Sequence, residues 1–288
     1  MGWVSLAPEA TLWLTEWLPR RRLIGRSHRC TEPPFVQRLP VCTRANAPRT
    51  GWERYLGPYA PDFAILSSLK PEGILLLGES LPPDLSEEEL VSQFQKTIGY
   101  PARIFFLRAQ AWPAYESETQ QLAAELGVPE RGARWLQAQK RAQARLAQKV
   151  QHLNARPTVL VVTSGYPVPL VGGWALQLVS WAGGQPLHPR PFLDWTELLA
   201  EDPDVIIFSL MGASLRQVGE ALGQWSRQSP IQSLSAFRQK RLYAFHGVAG
   251  LFFSSPLLMA AAEALYELLH TPNYRYNQHL GRLWAPLL

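Results

Sequence analysis

The stretch from Glu130 to Leu153, ERGARWLQAQKRAQARLAQKVQHL, decides how this chain is organised. It contains no proline, and its one glycine, Gly132, stands near its start. Ala138, Ala142, Leu146, Val150 and Leu153 recur at helical spacing and form one narrow apolar stripe, while Arg134, Lys140, Arg141, Arg145 and Lys149 mark the opposite face. A helix of this length spans ~36 Å at ~1.5 Å per residue, about the width of a small domain. Asn154-Ala155-Arg156-Pro157 then stops it, because proline cannot continue a helix and drives the preceding residue out of helical conformation. Strand–helix alternation restarts afresh on the far side. The sequence therefore reads as an N-terminal lobe over 1–129 and a C-terminal lobe over 155–288, joined by a rigid helix over 130–154. The alternative is an ordinary crossover helix within one sheet.

Outward from this helix, short apolar runs alternate with amphipathic segments. Strands are expected at 3–6, 23–25, 39–43, 73–77, 103–107, 158–163, 204–210 and 241–245, and helices at 9–18, 86–98, 112–126, 174–181, 214–226 and 256–269. Such alternation implies an α/β fold of small, mostly parallel sheets flanked by helices.

Apolar residues make up 47% of the 288 and charged residues 18%, too apolar a mix for disorder. Eleven tryptophans suggest either an aromatic-lined site or an aromatic core. The net charge of +5 falls in two runs, Arg20-Arg21-Arg22 and 131–149, and reads as solvated helix faces rather than a nucleic-acid surface. No run approaches the ~20 apolar residues of a membrane span. Met1-Gly2 leads directly into Trp3-Val4-Ser5-Leu6, which reads as a strand and not a secretory signal. A cytoplasmic monomer is thus expected, the alternative being a periplasmic or extracellular protein whose signal has been removed. Cys30 and Cys42 could pair or remain free thiols.

Several segments together resemble the cobalamin- and siderophore-binding family of ABC-transporter solute-binding proteins. Val4-Ser5-Leu6-Ala7-Pro8-Glu9-Ala10-Thr11 is similar to that family's first strand and helix start. Leu23-Ile24-Gly25-Arg26-Ser27-His28-Arg29-Cys30, Pro33-Pro34 and Leu39-Pro40-Val41-Cys42-Thr43-Arg44 resemble its corrinoid-binding branch. Leu69-Lys70-Pro71-Glu72-Gly73-Ile74, Ala182-Gly183-Gly184, Asp202-Pro203-Asp204-Val205-Ile206 and Arg241-Leu242-Tyr243-Ala244 follow in family order. The resemblance runs from Val4 to about His270. It implies two lobes with a ligand held between them, a corrinoid first, with a ferric siderophore or haem as the alternative, and no required cofactor. A ligand-free regulatory protein on the same fold is a further alternative.

In open α/β sheets, ligands collect beyond the carboxyl ends of the strands. The candidate ligand contacts there are His28, Arg29, Glu79, Trp112, Tyr166, Met211 and His246. Trp174 and the pair Phe252-Phe253, at helix starts, are further candidates, and the resemblance implies aromatic contacts between Arg44 and Leu69, where Tyr55 and Tyr59 could substitute. His28 could ligate a metal as the neutral imidazole or cap the next turn. Arg29 suits a ligand amide or carboxylate, and Trp112 and Trp174 could stack on a macrocycle or pack between helices. An enzyme is not expected. His28, Cys30 and Cys42 match no compact zinc motif, and neither a phosphate loop nor a nucleophile elbow occurs. The acids Glu87-Glu88-Glu89 suit a helix start.

The resemblance also implies one docking carboxylate on each lobe for an ABC permease. Those positions fall on Ala64 and Thr196, which carry no charge; the adjacent Glu197 reads as half of a capping box with Asp194, and Asp62 is the neighbouring acid in the first lobe. Coupling to a permease is therefore not expected.

Overall fold

The computed structural model describes residues 2–45, 47–163, 168–169, 173–187, 192–225, 230–271 and 277–287. By its own contacts the chain divides into two units, Met1–Arg134 with Phe253–Pro256, and Trp135–Phe252 with Leu257–Leu288.

In the first unit, the apolar runs β1 (Trp3–Ser5), β2 (Leu23–Gly25), β5 (Gly73–Leu77) and β6 (Arg103–Leu107) pair in parallel in the order β2-β1-β5-β6. The five residues of β5 are all buried, as a parallel strand covered on both faces requires. One face carries Ile74 and Leu76 into a core with Val4, Leu6, Leu90, Phe94 and Phe106. The flanking helices are α1 (Pro8–Trp17), α2 (Phe63–Leu69), α3 (Glu87–Ile98) and α4 (Trp112–Glu125). Ser86 and Glu89 close a capping box on α3, and Gly99 ends it in the left-handed conformation, φ 81°. A two-residue antiparallel pair, β3 (Thr43–Arg44) with β4 (Ala60–Pro61), stands beside the sheet.

The expected strand at 39–43 is the main local departure. Pro40 has no N–H to give a ladder, so pairing there shrinks to a single Arg26–Val41 bridge and the short β3.

The long helix α5 runs Pro129–Gln151. Its inward stripe is carried by Leu136, Leu146 and Val150, whereas Ala138 is exposed and Ala142 half-buried. Gly132 lets α5 approach α4 closely: a Cβ there would stand 2.4 Å from that of Ala123.

In the second unit, β7 (Thr158–Val162), β9 (Gln185–Pro186), β11 (Val205–Phe208), β12 (Leu242–Phe245) and β13 (Trp284–Pro286) form a sheet in the order β13-β12-β11-β7-β9, parallel except for β13. A separate short pair joins β8 (Val168–Pro169) and β10 (Phe192–Leu193). Helices α6 (Trp174–Trp181), α7 (Trp195–Glu201), α8 (Leu215–Trp225), α9 (Ser235–Arg238) and α10 (Leu258–His270) complete it.

Both acids of Asp202-Pro203-Asp204 have structural work here. The Asp202 carboxylate accepts from the Ser235 backbone N–H and hydroxyl, each at 2.6 Å, and these bonds hold its carboxyl below the usual range. Asp204 accepts from the Thr158 N–H at 2.8 Å and hydroxyl at 2.9 Å, locking β11 to β7. Glu197 and Asp194 do form a capping box on α7, and Asp62 caps α2 by accepting from Ile65. No helix among the described residues is long and apolar enough to cross a membrane.

Candidate functional site

The chemistry of the first unit gathers at the carboxyl ends of its parallel strands. After β2 the chain is stitched to the 40–42 segment: Arg26 N–H donates to Pro40 O at 3.0 Å, and Cys42 N–H donates to Arg26 O at 2.7 Å. The Arg26 guanidinium donates to the carbonyls of Ser27, Cys30 and Gln37 and is consumed by the loop it holds.

This stitching brings Thr43 onto His28. The Thr43 hydroxyl accepts the His28 backbone N–H at 2.9 Å and donates to Ser27 Oγ at 3.2 Å, so its single proton is spent. Its 2.7 Å contact with His28 Nδ1 then requires Nδ1–H to donate. Nε2 is left with its lone pair, and among the described residues nothing hydrogen-bonds it. Burial lowers the His28 pKa, and the charges of Arg29 and Arg26 lower it further, so the ring is neutral at physiological pH. A neutral, half-buried imidazole with one nitrogen anchored and the other presented has the form of a metal ligand.

Around it stand Arg29, whose backbone N–H donates to Ser27 Oγ at 3.2 Å, and Tyr59, whose ring meets His28 edge-on at 5.7 Å. Burial raises the Tyr59 hydroxyl above the ordinary phenol range, Glu9 adds to the rise, and Arg29 opposes it.

Tyr55 and Glu79 also come together, the Glu79 N–H donating to Tyr55 O at 3.1 Å. Glu79 O accepts in turn from Arg108 Nε at 3.1 Å, and Arg108 pairs with Glu87. Gly57 is obligatory between these loops: its φ is +78°, and a Cβ would stand 2.5 Å from Leu77 O.

The loop after β6 leads into Trp112, half-buried, its indole N–H bonded to Glu116 and its ring 5.5 Å from Tyr115. Beneath it the buried Glu118 carboxylate accepts from Arg108 N–H, from Ala109 N–H at 2.8 Å and from the Ser254 hydroxyl at 2.5 Å. Tyr115 donates to Ser255 O at 2.9 Å, so the return segment carrying the half-buried Phe253 is tied to this unit.

In the second unit, Met211 and His246 follow β11 and β12, both half-buried, on loops joined by Gly247 N–H donating to Ala213 O at 2.8 Å. Gly247 has no room for a side chain, since a Cβ would lie 1.8 Å from Leu210 O. His246 Nδ1 accepts from Val248 N–H at 3.4 Å, and Phe252 is half-buried. Trp174 is fully buried, packing edge-on against Trp181 at 6.5 Å as part of the core. Tyr166 lies outside the described residues.

His28, Arg29, Tyr55, Glu79 and Trp112 thus belong to one unit, and Met211 and His246 to the other. Thr43, Arg108, Glu118 and Glu9 were not among the expected contacts. Thr43 is 15 residues from its partner, and nothing in a linear reading pairs the two. Cys30 and Cys42 are both buried free thiols, and no group of three metal-binding side chains occurs among the described residues.

A sequence model of the family described as periplasmic binding protein matches residues 4–248. No curated protein matches the chain. Among solved structures, a periplasmic heme binding protein from Pseudomonas aeruginosa is similar at 21% identity and TM-score 0.70, over 93% of this chain and 92% of that one. The periplasmic heme-binding protein BhuT, in complex with two hemes, is similar at 21% identity and TM-score 0.67, over 93% and 97%. IsdE of S. aureus, complexed with heme, is similar at 16% identity and TM-score 0.67, over 93% and 98%.

Proposed function

Because the chain belongs to the periplasmic binding protein family, we propose that it is a solute-binding protein whose ligand is a planar metal macrocycle of the haem type, ligated by His28. The observation that carries this reading is the His28–Thr43 contact, which fixes the tautomer so that Nε2 faces away with a free lone pair. A proximal histidine is one of the standard axial ligands of haem iron. Arg29 beside it suits an acidic substituent of the macrocycle, and Tyr59 offers an aromatic wall. The haem-binding relatives named above support haem over the corrinoid expected from the sequence, and the members of this family are binding proteins rather than enzymes.

The family and its relatives also favour a place outside the cytoplasmic membrane, in service of an ABC importer. The cytoplasmic location expected from the first residues has no support from either. For docking to a permease the acids beside the counted positions remain as candidates, although Glu197 and Asp62 are each engaged in capping a helix.

Parallel absorbance titrations with hemin, cyanocobalamin and a ferric siderophore test the ligand class. Hemin should bind in the micromolar range or tighter, about −8 kcal/mol or better, with cyanocobalamin and the siderophore at least about tenfold weaker. Tighter binding of cyanocobalamin would restore the corrinoid reading.

A further inference from the structure

Among the described residues of the N-terminal unit, Glu9 is the buried carboxyl group that no other residue hydrogen-bonds. It lies in the first turn of α1 and is 1% exposed, yet neither carboxyl oxygen has a hydrogen-bond partner. Glu118, the other buried acid there, shows the contrast, with three donors around its carboxylate. Glu9 is also not set against a cation of the protein. Burial raises its pKa to about 7, and the one influence that lowers it is its own backbone N–H at the helix start.

The groups facing it from other elements are neutral. The Tyr59 phenol, just before β4, and the Cys30 thiol, in the loop after β2, are both pushed up by burial and raised further by Glu9. On the near side, the Thr11 and Ser5 hydroxyls are 2.6 Å apart, and Thr11 also lies 2.9 Å from the Cys30 sulfur. The Thr11–Cys30 contact packs the start of α1 against the loop that carries His28, and Tyr59, whose hydroxyl pKa Glu9 raises, meets the His28 ring edge-on at 5.7 Å. A buried, uncompensated carboxylate is costly, and such groups concentrate where a ligand completes the charge balance.

We propose that Glu9 is the counter-charge of the ligand site: its carboxylate balances the positive charge of a trivalent metal macrocycle and so selects such ligands over macrocycles with an electrically neutral centre. This rests on the haem-type reading above and adds to it the charge state of the ligand. Ferric porphyrin carries one net positive charge at its centre, whereas a zinc porphyrin with identical acidic substituents and one open axial position carries none. In the ligand-free protein the Glu9 proton spares the cost of a buried anion. When the ferric centre arrives that proton leaves to solvent, and the anion and cation compensate each other. The Arg29 and Arg26 charges, which add to burial in lowering the His28 pKa, would otherwise oppose a cationic centre; Glu9 offsets them.

The test compares hemin with zinc protoporphyrin on the intact wild-type chain and on Glu9→Gln, which keeps the shape and removes the charge. Glu9→Gln should lose about tenfold or more in hemin affinity, corresponding to about 1.4 kcal/mol, while its affinity for zinc protoporphyrin stays within about twofold of wild type. Calorimetry at pH 6 to 7 (about the Glu9 pKa) in buffers of different ionisation enthalpy should show proton release of up to one equivalent on hemin binding to wild type. It should show none with zinc protoporphyrin and none in the variant. Zinc protoporphyrin binding also reports that the variant is folded. Equal losses for both porphyrins, or hemin binding that leaves protons and affinity untouched by the substitution, would overturn the counter-charge role while leaving the haem-type reading intact. Failure of wild type to bind either porphyrin would overturn both.

Discussion

Glu118→Ala should destabilise the protein by about 3–5 kcal/mol, the range for removing one partner from a buried, charged hydrogen-bond network. Three donors converge on this carboxylate, the Arg108 and Ala109 backbone N–H groups and the Ser254 hydroxyl. Alanine leaves all three without a protein acceptor in a site that is 9% exposed. The loop they hold carries Arg108 and leads into Trp112, so the local damage falls on the site as well as the fold. Chemical denaturation measures the effect as a fall in the midpoint at unchanged slope. Glu118→Gln should recover only part of the loss, because its amide keeps one accepting oxygen and turns a donor toward donors. A loss under about 1 kcal/mol for the alanine variant would mean that the network is replaceable by solvent.

The second large effect is a pH dependence that runs against the usual direction for an acid. Most carboxylates in folded proteins have depressed pKa values and stabilise as pH rises. Glu9 is raised from an ordinary 4.5 to about 7. Between these values the folded state holds a proton that the unfolded chain has released, so stability falls as pH rises. Its contribution is fully present below about 4.5 and lost as pH passes through about 7, amounting to about 3 kcal/mol in all. Glu9→Gln should remove this slope, leaving the variant more stable than wild type by up to about 3 kcal/mol at pH 8 and nearly equal to it at pH 4. Thermal melts of both proteins across that window, without ligand, are sufficient. A parallel pH profile for the two would show that Glu9 is ionised and compensated in the folded protein.

Much of the fold was legible because its signals were local. The runs at 73–77 and 103–107 are continuous and apolar, and they appear unchanged as β5 and β6. The acids Glu87-Glu88-Glu89 marked the start of α3, which the structure closes with a Ser86–Glu89 capping box. What escaped lacked either length or pattern. Helices α2 and α7 are seven residues each, too short to show a period, although the α7 cap itself was readable from Asp194 and Glu197. The strand β13, Trp284-Ala285-Pro286, contains a proline and lies at a sheet edge, where antiparallel pairing to β12 leaves no sequence trace.

The site was less legible, because its geometry is made by contacts distant in sequence. His28 was identifiable as the residue beyond a strand, but the proton on its Nδ1 depends on Thr43, delivered by a single bridge between Arg26 and Val41. Glu9 was hidden in plain view: an acid in the first turn of a helix reads as a complement to the helix dipole. Only its burial without a partner separates it from that role. Trp174 failed in the opposite sense, since an aromatic residue at a helix start suits a ligand wall or a core equally well, and it lies in the core.

In the proposed complex, His28 presents Nε2 to the metal of the bound macrocycle. Electron paramagnetic resonance of the ferric haem complex, prepared with wild type and with His28→Ala, tests it most directly. The wild-type spectrum should show nitrogen axial ligation, and the variant should lose that signature, with added imidazole restoring it. An identical spectrum in the two proteins would contradict the claim and place the metal on another residue.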